Sequence, residues 1–144
     1  MTLAAQRDLL ALVLDVLIPA GGGFPGGGAI AVDHVLSVAG ASPELESLIA
    51  RGLQLIDEAA GPTGLASLGA DDCENVLRRV ERSHPEFFDM LVRHTYEGYY
   101  SHATVVARLG LEPGPLHPHG HRIEPVELPD LQRVTARGAI YRST

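Results

Sequence analysis

Apolar residues recur along this chain at helical spacing and nowhere alternate as a half-buried strand requires. From about Thr2 to Ile18, Leu9, Leu10, Leu12, Val13, Val16 and Leu17 cover more than one helical stripe. That predicts an element central to the packing or covered by a partner. Pro19 and the run GGGFPGGG (Gly21–Gly28) end it, and a second helix is expected over about Ala29–Ala39, with Ile30, Val32, Val35, Leu36 and Val38. Ser42-Pro43-Glu44 then combines a capping side chain, a proline suited to the first helical position and an acid in the first turn. The helix it opens places Leu45, Leu48, Ile49, Leu53, Ile56 and Ala59 at helical spacing until Gly61-Pro62.

Two further start signals follow. Asp71-x-x-Glu74 reads as a capping box opening a fourth helix, with Cys73, Val76, Leu77 and Val80 inward. Ser83-x-x-Glu86 repeats the device for an aromatic helix, His84–His102, in which Phe88, Leu91, Val92, Thr95 and Tyr99 share a face. A short last helix is expected near Leu128–Arg137. The pattern predicts an all-α fold: a compact bundle of about five helices in residues 1–110, followed by an extended arm, 111–144.

The arm is extended because Pro113, Pro115, Pro118, Pro125 and Pro129 fall within Leu111–Asp130. Each removes a backbone donor, fixes φ and pushes the preceding residue out of the helical region. Yet the same stretch carries Leu116, Ile123, Val126 and Leu128, which gain only when covered. Such an arm lies along something, either its own helices or another protein. With Tyr96, Glu97 and Tyr100 on the aromatic helix and Tyr141 near the end, it defines the expected partner interface: Tyr96, Glu97, Tyr100, Leu116, His117, His119, His121, Ile123, Val126 and Tyr141. Tyrosine suits that role because it buries a large ring while keeping a polar tip. The bland alternative for all three tyrosines of this helix is core packing, which is the expectation for Tyr99 and stays open beside the interface for Tyr96 and Tyr100.

Composition narrows the chemistry. With 144 residues, 45% hydrophobic and 20% charged, the chain has the length and make-up of one globular domain. Its net charge is −7, and neither half has a basic surplus, so binding to nucleic-acid phosphates is not expected. The chain contains no lysine, which excludes a P-loop lysine and a Schiff base. A single cysteine, Cys73, excludes an internal disulfide, and its apolar neighbours mark it as a small buried hydrophobe. The apolar run Leu9–Ile18 is interrupted by Asp15 and falls short of the ~20 residues a membrane span needs, so no membrane insertion is expected.

Several constellations imitate sites. Gly21-Gly22-Gly23-Phe24-Pro25-Gly26 matches G-x-G-x-x-G, but a dinucleotide site needs that turn after a strand, and here a helix precedes it. A flexible inter-helix loop is the expectation. His117, His119 and His121 alternate, so an extended backbone points three imidazoles one way, enough to hold zinc with water as fourth ligand. No nearby carboxylate is an obvious orienting partner. A metal-dependent enzyme built on these three is therefore the alternative to a contact segment. Glu81-x-x-His84 is half of a di-iron motif whose second half is missing. His94, Glu97 and Ser101 lie near one another on a helix but lack a strained elbow and oxyanion donors, so a solvated or partner-facing stripe is expected. A stand-alone helical ligand-binding protein with an internal apolar pocket is the remaining rival.

Three stretches in order resemble the gluconate 2-dehydrogenase subunit 3 family: LVLDVLIPAGGGFPGGGAIAVDHVL (Leu12–Leu36), LQLIDEAA (Leu53–Ala60) ahead of a glycine-rich turn, and FFDMLVRHTYEGYYSH (Phe87–His102). The resemblance implies a non-catalytic small subunit, with no catalytic or cofactor-binding residue of its own. Its partner would be a large FAD-dependent dehydrogenase subunit of the glucose–methanol–choline (GMC) type, acting on a sugar or alcohol. Electrons would then pass to a cytochrome c subunit or another acceptor. Exported members carry a twin-arginine signal, which this chain lacks, and it starts with Met close to its first helix. A cytoplasmic complex is therefore the expectation. A periplasmic one requires an export signal removed from this chain or carried by the partner.

Overall fold

The computed structural model describes residues 3–111 and 136–137. The described residues are helical, with no strand longer than an isolated bridge, so the fold is all-α. Five longer helices form the bundle: α1 (Arg7–Leu17), α3 (Val32–Gly40), α4 (Pro43–Ala60), α5 (Ala70–Ser83) and α6 (Pro85–Ser101). Two short ones, α2 (Gly27–Ile30) and α7 (Ala103–Arg108), lie between α1 and α3 and after α6. The arm residues Leu116, His117, His119, His121, Ile123, Val126 and Tyr141 lie outside the described residues, as does most of the helix expected near Leu128–Arg137.

Each long helix gives one stripe to a common core. Leu10, Val13 and Leu14 come from α1, Val35 and Ala39 from α3, and Ile49, Leu53 and Ile56 from α4. Val76, Leu77 and Val80 come from α5, and Phe87, Phe88, Leu91 and Tyr99 from α6. Fully burying one such aliphatic chain stabilises by about 1.5–3 kcal/mol relative to leaving it in water. Cys73 is buried and unpaired, its thiol 3.5 Å from the Leu65 carbonyl oxygen. On α1 the expected second stripe is only partly covered: Leu9, Val16 and Leu17 are half-buried and Leu12 is exposed.

The boundaries depart from expectation in four places. Leu3–Gln6 forms a separate 3-10 turn, and α1 begins only at Arg7. Gln6, at the junction, is buried and donates from Nε2 to the Ala50 carbonyl at 3.3 Å. The second helix divides at Ala31, whose φ of −97° and ψ of −11° turn α2, packed on α1, into α3, packed on α6 and α4. Asp71 does not cap α5: the cap residue is Gly69, with no side-chain bond, and Asp71 lies inside the first turn as a charge favourable to the helix dipole. Nor does Ser83 cap α6. It ends α5, its hydroxyl donating back to the Arg79 carbonyl at 3.0 Å, and His84 takes the cap position.

The glycine run is an inter-helix loop, as expected, and it closes a hydrogen-bonded turn. Gly21 and Phe24 exchange backbone bonds of 3.1 and 2.8 Å across Gly22 and Gly23, both at positive φ. Asp15, which interrupts the apolar run of α1, accepts the Gly28 amide at 2.8 Å and so satisfies a free donor at the start of α2. A Cβ on Gly27 or Gly28 would overlap the Leu14 or Ala11 carbonyl oxygen, so glycine is what lets α2 lie on the backbone of α1.

Candidate partner interface on the aromatic helix

Helix α6 presents three different faces. Spacing of three and four turns Phe88, Leu91, Thr95 and Tyr99 inward, all buried. Thr95, the buried polar member, donates its hydroxyl to the Leu91 carbonyl at 2.6 Å, so it enters the core already satisfied. Tyr99 donates its hydroxyl to the Pro25 carbonyl at 2.7 Å and thereby ties the glycine-rich turn to α6. Burial raises the Tyr99 phenol above its ordinary pKa, the neighbouring Tyr100 adds to this, and Arg108 opposes it.

The outward face carries Tyr96 and Tyr100, one turn apart and 47% and 55% exposed. Their rings meet edge to face at 5.9 Å between centroids, and Tyr100 meets Tyr99 in the same manner at 5.3 Å. A continuous aromatic line therefore runs from solvent to core. The two expected interface tyrosines are adjacent and solvent-accessible, while Tyr99 is in the core as expected.

The third face turns toward α3. His94 Nδ1 lies 2.7 Å from Glu97 Oε2, and His34 Nε2 of α3 approaches the same oxygen at 3.9 Å. The hydrogen bond from His94 holds the Glu97 carboxyl below its ordinary range; partial burial acts the other way, and the charges of His94, Arg93 and His34 add to the lowering. The expected stripe of His94, Glu97 and Ser101 is thus only partly solvated: Glu97 is 51% exposed, but His94 only 12%. Ser101 bonds the Glu97 backbone carbonyl instead of either side chain, so no triad forms.

Sequence patterning missed His34 because nothing in the periodicity of either helix couples α3 to α6. The available signal was Gly98, small amid bulky neighbours. A Cβ there would lie 2.7 Å from His34 Cβ, marking the point of closest approach.

Elsewhere, a groove of ≈ 500 Å³ between α4 and the α5–α6 junction is lined by Glu44, Arg51, His84, Glu86 and Phe87, among others. It is open and charged at its rim, unlike the internal apolar chamber that a stand-alone ligand binder would need.

Residues 4–112 match the family model described as Gluconate 2-dehydrogenase subunit 3, a span that covers the whole helical bundle. The chain belongs to that family. No curated protein and no solved structure matches it. As a subunit 3, the chain is one component of a multi-subunit dehydrogenase complex, which implies a partner. Among the described residues, no helix is long and apolar enough to cross a membrane.

Proposed function

We propose that this chain is a non-catalytic small subunit that binds and stabilises the FAD-dependent catalytic subunit of a sugar or alcohol dehydrogenase of the GMC type. The flavin and the catalytic base belong to the partner, which passes electrons on to a cytochrome c subunit or another acceptor. The observation that carries this reading is the pair Tyr96–Tyr100: two large adjacent rings, about half exposed, on a helix whose opposite face is already core. Adjacent exposed aromatics are costly in water and typical of interface hot spots. The arm beyond Gly110 adds the apolar side chains Leu116, Ile123 and Val126 to the same task.

Co-expression with the neighbouring reading frame, followed by affinity capture of this chain, tests the proposal. The expected result is a co-purifying larger chain with a flavin absorbance spectrum, whose activity and solubility fall when the small subunit is omitted. Removal of the residues after Gly110 should weaken the complex while the bundle remains folded. Capture of the small subunit alone under conditions where both chains are soluble would overturn the reading.

A further inference from the structure

Two imidazoles in this bundle lack what buried imidazoles need. His34 Nε2 and His94 Nε2 are both out of contact with solvent, and neither has a hydrogen-bond partner. A buried polar atom left unpaired forfeits its hydration without compensation, so each unsatisfied nitrogen calls for an explanation. For His34 the surroundings supply one: its Nε2 faces the Glu97 carboxylate at 3.9 Å, too far for a hydrogen bond, while His94 turns its other nitrogen, Nδ1, to the same oxygen at 2.7 Å.

We propose that His34, His94 and Glu97 form a binding site for a divalent metal ion of the zinc class, clamping α3 to α6. Each residue offers one ligand atom, and all of these atoms lie within 4.8 Å of one another. Ligands of a tetrahedral zinc, with bonds of about 2.0–2.1 Å, stand roughly 3.3 Å apart. The observed 2.7 Å from His94 Nδ1 to Glu97 Oε2 and 3.9 Å from His34 Nε2 to the same oxygen straddle that spacing. Small side-chain rotations suffice to receive the ion.

The chemistry of the set agrees with the geometry. Two imidazoles and a carboxylate are a recurrent zinc ligand set, and the fourth position is left to water. The half-exposed Glu97 gives that water access. The spacing His94-x-x-Glu97 places two ligands on one helical face, and His34 arrives from the facing helix. The backbone supports the arrangement: with no Cβ on Gly98, the His34 Cβ, Cγ and Cδ2 lie 2.7–3.0 Å from where that atom would be, directly over α6 beside Glu97. Without the ion, Glu97 holds the two rings together only through one hydrogen bond and one longer contact. With it, the crossing that supports the Tyr96–Tyr100 face is fixed by coordination. The proposed ligand set uses none of the arm histidines His117, His119 and His121, and it stands whether or not the chain docks on a flavoprotein.

The test uses the full-length chain, purified without a histidine tag, stripped with chelator and titrated with Zn²⁺ and with Co²⁺. One equivalent of zinc per chain is expected, with a zinc-dependent rise in Tm, and cobalt should give the intense visible bands of a four-coordinate site. His34→Gln, His94→Gln and Glu97→Gln should each weaken zinc binding by roughly 10–100-fold or more. A variant with His117, His119 and His121 all changed to Ala should retain the site in full. The glutamine substitutions preserve side-chain bulk, and circular dichroism checks that each variant is folded. If a glutamine variant fails to fold, the cobalt spectrum of the arm-histidine variant still decides. Zinc binding lost only with the arm histidines, binding unaffected by the three glutamine variants, or no binding at all would each overturn the proposal.

Discussion

The ring of Phe87 lies directly on the backbone of Gly52. A Cβ built on Gly52 would overlap the Cγ, Cδ2 and Cε2 atoms of that ring. Gly52 is buried midway along α4, where glycine ordinarily weakens a helix, so its presence needs a packing reason. The reason is that α6 begins here: Phe87 must reach the core within the first turn after Pro85, and only a bare Cα leaves space for it.

This relationship predicts that Gly52→Ala destabilises, although alanine is the better helix former. The propensity gain is about 1 kcal/mol, and overpacking a well-filled site costs about 1–3 kcal/mol. Urea denaturation of the isolated chain should therefore show a lowered midpoint. The double variant Gly52→Ala, Phe87→Leu should recover part of the loss, because the leucine side chain is smaller than the ring. Additive losses would mean that the two positions are not in contact.

The helix starts make a second, contrasting prediction. Ser42 Oγ accepts the Leu45 amide at 3.3 Å, so Ser42→Ala should cost about 1 kcal/mol. Asp71 carries the same sequence signature but makes no capping bond, so Asp71→Ala should cost only the dipole interaction, a few tenths of a kcal/mol. Parallel thermal melts of the two variants check the difference, and equal losses would place the α5 cap at Asp71 after all.

That contrast shows how much of the fold could be read beforehand. Helix α4 was legible at both ends because its signals are local: a serine cap and proline at its start, and Gly61 at a φ of +86° after its end. The core stripes were legible for the same reason, since helical periodicity alone selects Ile49, Leu53 and Ile56, or Leu91, Thr95 and Tyr99. What escaped was set by tertiary contact. Ala31 divides a continuous helical pattern of apolar residues where α2 packs chiefly on α1 and α3 chiefly on α6 and α4. The short α7 begins where the His102 ring accepts the Thr104 amide, a cap no apolar pattern announces. At the candidate site, Tyr96, Glu97 and Tyr100 could be placed on one helix, but the approach of His34 depends on an inter-helix crossing.

The alkaline limb of stability should depend on Tyr99. Its hydroxyl donates to Pro25, and burial raises its pKa above the ordinary phenol value of about 10. In the window between the unfolded and the raised folded value, the unfolded chain has lost this proton and the folded chain still holds it. The contribution is therefore complete below about pH 10 and falls as the pH rises through the folded value. Tyr99→Phe should lower stability near pH 7 by about 0.5–1.5 kcal/mol, the worth of one hydrogen bond. The gap between wild type and variant should then narrow as the pH rises above 10. A gap that stays constant to high pH would mean that the phenol does not titrate with unfolding.

The outward tyrosines should behave in the opposite way to the buried one. Tyr96 and Tyr100 are about half exposed, and apart from the rings of each other and of Tyr99 they leave large surfaces in water. Truncating them individually to Ala should shift the Tm of the isolated chain little, within the range of ordinary surface substitutions. If they anchor the catalytic partner, the same truncations should remove about 2 kcal/mol or more of binding free energy each, roughly a 30-fold rise in Kd. The joint variant should lose less than the sum, because the two rings touch and each orders the other. Calorimetric titration against the dehydrogenase subunit, with Tm measured on the same samples, separates the two cases. A large Tm loss with unchanged affinity would assign the rings to the fold; a large affinity loss with unchanged Tm assigns them to the interface.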